Sequence, residues 1–138
     1  MTTLEAVRNY LRTFPGLEAL SLDALDYEHG GACLRPVPGE PVTRTYLDGA
    51  TRRQEQFDLW IRRGSRGGDE ARAADLRWLS DLTETLEQNT RRGILPDLGP
   101  GKQARSLRAA TTAAPEILQE NGLLVDQITL RLDYLMEG

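Results

Sequence analysis

The sequence predicts an α+β fold: one domain over residues 1–138, with a largely antiparallel β-sheet packed against two main α-helices. Three observations carry this. Two stretches repeat apolar residues at helical spacing, several others alternate apolar and polar residues with the period of a strand, and the Gly- and Pro-rich punctuation falls between these stretches.

Thr2 and Glu5 form the T-x-x-E signature of a capping box, in which each side chain reaches the other's backbone N–H. Leu4, Val7, Leu11 and Phe14 then recur on one helical face, which predicts a helix over about 3–13 that Pro15-Gly16 ends. Alternation through Leu20, Leu22, Ala24 and Asp26 predicts a strand over about 20–28. A turn at Gly30-Gly31 and a short strand from Cys33 to Arg35 follow. The segment RPVPGEP reads as a loop, or as an edge that proline protects from further pairing.

Thr45 and Leu47 lead into Asp48-Gly49, a pair suited to the positive φ angles of a two-residue type I′ hairpin turn. Beyond it Phe57, Leu59 and Ile61 share one face of a strand, and Gln56, Asp58 and Trp60 share the other. The Gly-rich stretch 64–70 is a flexible loop, and its Asp69 is placed to cap a second helix. That helix has a core face of Ala71, Ala74, Trp78, Leu79, Leu82 and Leu86, with Leu76 outside it and Gly93 as C-cap. ILPDLGPGK is a turn-rich connection, and residues 104–112 read as a β-segment. In the last strand Asp126, Ile128, Leu130, Leu132 and Tyr134 alternate against Gln127, Thr129, Arg131 and Asp133.

Composition narrows the function classes. One cysteine, Cys33, excludes an intrachain disulfide and suits a reducing compartment. The first residues are too polar for a signal peptide, and no apolar run nears the ~20 residues that span a bilayer, so a cytoplasmic, soluble chain is expected with no membrane partner. A net charge of −4 disfavours a general nucleic-acid binder. The charge is uneven, however: residues 52–108 hold 12 of the 17 basic residues and 9 of the 21 acidic ones. That pattern suits solvated surface, or complementary faces of neighbouring subunits.

Catalytic constellations are poor. His29 and Cys33 could approach across a strand–turn–strand, as a thiolate–imidazole pair requires, but chance proximity in a hairpin explains them better. Asp23, Asp26, Glu28 and His29 do not point to one side of a strand, so they make a weak metal site. GPGK lacks the span and the trailing Ser/Thr of a phosphate-binding loop. No cofactor and no catalytic residue is expected. Trp78 reads as core, whereas Trp60 suits surface packing and an interface anchor equally. Arg52, Arg53, Gln54, Gln56 and Trp60, with Arg62, Arg63 and Arg66, are left as candidate subunit or partner interface.

The order of four motifs resembles that of a family of bacteriophage minor capsid, or head–tail joining, proteins that look like tail terminators. They are Tyr46-Leu47-Asp48-Gly49, Arg53-Gln54-Glu55-Gln56-Phe57, Gly93-Ile94-Leu95-Pro96-Asp97-Leu98 and Leu132-Asp133-Tyr134. The resemblance implies a tail-terminator-like domain and a non-enzymatic virion protein, assembled in the host cytoplasm. Such a protein forms a homohexameric ring on the last ring of the tail tube, stops tube growth, and docks the head connector or stopper protein. Its partners are then copies of itself, the tail-tube protein and that connector, while genomic DNA passes through the lumen without specific binding. A head-completion or neck protein is the alternative within that class; a small cytoplasmic ligand-binding domain is the alternative outside it.

Overall fold

Two long, mutually paired strands organise the chain. In the computed structural model, which describes residues 1–22, 31–63, 68–110, 116–120 and 123–138, β4 (Thr51–Arg63) runs antiparallel to β7 (Leu123–Met136) over its whole length. Around them the order is β1 (Ser21–Leu22), β2 (Gly31–Val37), β4, β7, β5 (Lys102–Ala109). β3 (Val42–Thr45) pairs the start of β4, and β6 (Glu116–Glu120) pairs Leu123 to Gln127 of β7, giving seven strands among the described residues. The central position of β4 and β7 follows from their alternation. Phe57, Leu59, Leu130, Leu132 and Tyr134 are nearly fully buried on one face, so a one-residue slip of either strand would turn this set to the other side.

Both helices cover that face. α1 (Thr3–Leu11) begins with the expected capping box at Thr2 and buries Ala6, Val7 and Leu11. It ends at Leu11 with Arg12 as C-cap, short of the expected residue 13, and tight turns at Thr13 and Phe14 lead to Pro15-Gly16. Gly16 has φ of 92° and lies so close to the Trp78 ring that a Cβ would meet it at 3.0 Å. α2 (Gly68–Arg91) buries Leu79, Leu82 and Leu86, with Trp78 half-buried against the same core and Leu76 exposed. Its predicted core face was drawn too long: Ala74 is exposed and Ala71 only half-buried, because packing begins a turn later. Asp69 lies inside the first turn rather than ahead of it, where its charge still complements the helix dipole. At the other end, Ile94 N–H donates to Asn89 O and Gly93 N–H to Thr90 O, with Gly93 at φ 74°, the pairing of a Schellman cap.

Two further expectations are corrected. β1 and β2 pair in parallel, Ser21 with Cys33 and Leu22 with Leu34, so they are not the two arms of a hairpin. This register sets Leu22 beside Leu34, on the face that the core needs. The expected strand beyond Leu22 and the Gly30-Gly31 turn lie largely outside the described residues, as do Asp23, Asp26, Glu28 and His29. β2 runs on through Arg35-Pro36-Val37, and Pro36 lies beyond the residues that β1 pairs, where an edge tolerates it. The second correction is the hairpin turn. Gly49 N–H donates to Tyr46 O and Tyr46 N–H to Ala50 O, which encloses a three-residue loop, Leu47-Asp48-Gly49, instead of a two-residue one. Only the third loop position needs a positive φ, and Gly49 supplies it at 88°.

Candidate subunit interface

Strand parity divides the sequence-predicted interface. Arg52, Gln54, Gln56 and Trp60 lie on the sheet face opposite the helices, together with Cys33, Arg35, Gln127, Thr129, Arg131 and Asp133 of the flanking strands. Arg53 has the parity of Phe57 and so faces the other way, paired with Tyr134. Arg62 and Arg63 close β4 by pairing with Val125 and Leu124, and Arg66 lies outside the described residues.

The helix-free face is largely polar, and several of its groups engage one another. The Thr129 hydroxyl donates to Asp58 at 2.8 Å, and the Ser106 hydroxyl to Asp133 at 3.1 Å, with Arg131 3.8 Å from the same carboxylate. Both carboxylates thus hold a hydroxyl donor. Near one end, the Arg35 guanidinium lies 4.1 Å from the Trp60 ring centroid. Trp60 also covers a small second cluster of fully buried Cys33 and Val125, to which neither helix contributes. Trp60 is therefore part packing and part surface, and its indole N–H is buried without a hydrogen-bond partner. Among the described residues no group of three or more His, Cys, Asp and Glu is placed to hold a metal ion.

The edges differ. α2 seals the outer edge of β5: the Thr90 hydroxyl donates to Leu107 O at 3.0 Å and accepts from Leu107 N–H at 3.1 Å. Arg108 adds an ion pair to Glu87 of α2 at 2.8 Å. β3, by contrast, pairs only with β4 among the described residues, and all four of its residues are exposed. It leads to the hairpin tip, where Leu47 is fully solvent-exposed.

The four motifs meet at one end of the sheet. Arg53, Gln54 and Glu55 pair in register with Tyr134, Asp133 and Leu132, so two of them are direct neighbours. Tyr134 also pairs with Ala104, and Met136 with both Thr51 and Lys102, which brings the hairpin to the same end. Gly93, Leu95, Pro96 and Leu98 line a cleft of about 560 Å³ with Lys102, Gln103 and Ala104 at that end. Burial pushes the Tyr134 phenol above its ordinary range; nearby Glu55 adds to this and Arg53 opposes it.

Sequence reasoning missed three contacts. Arg72 of α2 pairs with fully buried Asp126, Thr90 seals β5, and Arg35 stacks on Trp60. Only the first had a signal in the sequence, an aspartate in the apolar set of the last strand.

None of the described helices is long and apolar enough to cross a membrane. No protein-family model matches the sequence, and neither does any curated protein. Among solved structures the chain is similar to one whose name states no function, at 10% identity and a TM-score of 0.53, over 94% of this chain and 88% of that one. At that identity the likeness is one of fold: the α+β arrangement of sheet and helices.

Proposed function

We propose that this chain is a structural virion protein, a tail terminator that closes the tail tube as a homohexameric ring and presents the docking surface for the head connector. The observation that carries the reading is the convergence of the four family-like motifs at one end of the sheet, two of them in direct register. Motifs that meet in space around a projecting hairpin are the pattern of a contact surface. Core packing by itself gathers the buried members Phe57, Leu98, Leu132 and Tyr134, so the surface reading rests on the exposed ones, Tyr46, Leu47 and Ile94. The engaged hydroxyl–carboxylate pairs of the helix-free face also suit a protein that works through surfaces rather than bond making. Its mixed charge suits a lumen through which DNA slides without holding.

The test begins with the neighbouring genes, which should encode a portal, a tail-tube protein and a tape measure. Electron microscopy then follows tubes assembled with and without the chain. Tubes that stop at a fixed length under a ring-shaped cap are expected. Tubes that grow on uncapped in its presence would overturn the reading.

A further inference from the structure

Among the described residues, four of the six exposed large hydrophobics lie at the motif end: Val42, Tyr46 and Leu47 on one hairpin, and Ile94 beside the cleft. A single surface leucine is ordinary. Leu47 is different, because the turn holds it fully exposed at the tip of the hairpin that carries three of these four residues. Asp48 stands next to it, tied into the loop by accepting from Ala50 N–H.

The cleft on the opposite flank has the complementary character. Leu95 supplies a half-buried apolar wall backed by buried Pro96 and Leu98, and the rim is polar: Arg91, Lys102 and Arg105 supply three cations against the single carboxylate of Asp97. The two features cannot meet within one chain. At this end β7 separates β4 from β5, so Thr51 and Lys102 are two strand spacings apart, roughly 10 Å. They do lie at the same level along the strands, since both residues pair with Met136.

We infer that the Leu47–Asp48 tip of one copy seats in the Leu95–Leu98 cleft of the next copy, with Asp48 facing the Arg91, Lys102 and Arg105 rim. The contact joins unlike patches on opposite flanks, so it propagates head to tail. Such a contact closes into a ring when the rotation per subunit divides the circle, and otherwise continues as a filament. The inference deepens the ring reading by naming the contact, and it can stand or fall separately from tube capping.

Cysteine trapping tests it. Leu47 and Gln103 are both exposed, so L47C with Q103C leaves the fold intact, and within one chain the pair is too far apart to bridge, since a disulfide needs Cα atoms within about 7 Å. Native Cys33 is buried and serves as an internal blank. Mild oxidation of the double variant, alone at high concentration and bound to tubes, should give a ladder of linked species on a non-reducing gel. Mixing the two single variants should give linked pairs only. The control L47C with N9C, which places the second thiol on exposed α1, should give no ladder. No 47–103 linkage beyond that control, in either setting, overturns the contact. Linked rings that never cap a tube would sustain the contact and overturn the terminator reading. Capped tubes without the linkage would do the reverse.

Discussion

Arg72 and Asp126 tie the start of α2 to the core-side end of β7: one guanidinium nitrogen lies 2.8 and 2.9 Å from the two carboxylate oxygens. Asp126 is fully buried and Arg72 retains some solvent. Removing one partner leaves a buried charge unpaired, so Arg72→Ala should cost about 3–5 kcal/mol. Replacing both, as Arg72→Met with Asp126→Leu, should recover most of that loss, because the pair's attraction barely exceeds its desolvation penalty. Urea unfolding of the single and double variants checks this. A double variant no more stable than Arg72→Ala would show that the pair also fixes geometry.

Thr90 satisfies both backbone groups of Leu107 on the outer edge of β5. Thr90→Val keeps the shape but leaves the N–H and C=O of Leu107 without that partner. A loss of about 1–3 kcal/mol follows. An opened strand edge is also a template for another chain, so the variant should aggregate during refolding at concentrations where the parent does not. Light scattering together with the unfolding curve separates the two effects.

The architecture was legible wherever period and burial agreed. Phe57, Leu59 and Ile61 announce the inner face of β4, and the Thr2–Glu5 box announces the start of α1. Parity would also have separated Arg53 from Arg52 and Gln54. Grouping all three by charge hid that division. What the sequence could not carry was pairing direction: alternation in β1 and β2 is the same for a parallel as for an antiparallel partner, and only the register of Leu22 on Leu34 decides it. Contacts between distant elements, such as Arg72 with Asp126, leave at most one half visible as a polar residue in an apolar row.

Trp60 sets two small effects against each other. Its indole N–H is buried without a partner, while its ring carries the Arg35 guanidinium. Trp60→Phe removes a desolvation penalty of about 1–3 kcal/mol and weakens a cation–π contact of about 0.5–2 kcal/mol. The net change in stability should therefore lie between a loss of about 1 kcal/mol and a gain of about 2.5 kcal/mol. Trp60→Ala also uncovers Cys33 and Val125 and should cost more than 2 kcal/mol. Thermal melts of the two variants distinguish a packing role from a purely surface one, which would leave both unchanged.

Alkaline pH probes one buried phenol, Tyr134, and one half-buried phenol, Tyr10. Tyr10 is raised above its ordinary value of 10.0 by burial, partly offset by the Asn89 amide that donates to it, and burial raises Tyr134 likewise. A pKa raised in the folded state contributes stability that is fully present below the unfolded value and is lost as pH rises through the folded one. Stability should hold up to about pH 10 and fall beyond it. Tyr134→Phe should flatten that decline without moving the neutral-pH plateau by much. Tyr10→Phe should flatten it too, but from a plateau about 1 kcal/mol lower, because the hydrogen bond to Ile94 O is lost. Melting series between pH 8 and 11 read both, and an unchanged slope would show that the loss begins elsewhere.

The hairpin tip tests whether turn geometry and core stability are separable. Gly49 adopts φ of 88°, and a Cβ there would lie 3.5 Å from Gly138, an ordinary contact, so conformation rather than space sets the cost of substitution. Gly49→Ala should cost about 1 kcal/mol, Gly49→Asn less because asparagine tolerates this region, and Gly49→Val more because β-branching opposes it. Leu47 and its neighbours lie outside the core cluster, so the cost should appear as local opening of β3 from β4. Hydrogen exchange should accelerate at Tyr46 and Gly49 N–H, whose bonds close the loop, while the amides of β7 facing β5 keep their protection. If those β7 amides accelerate equally, the turn is part of the cooperative unit and not an arm carried by it.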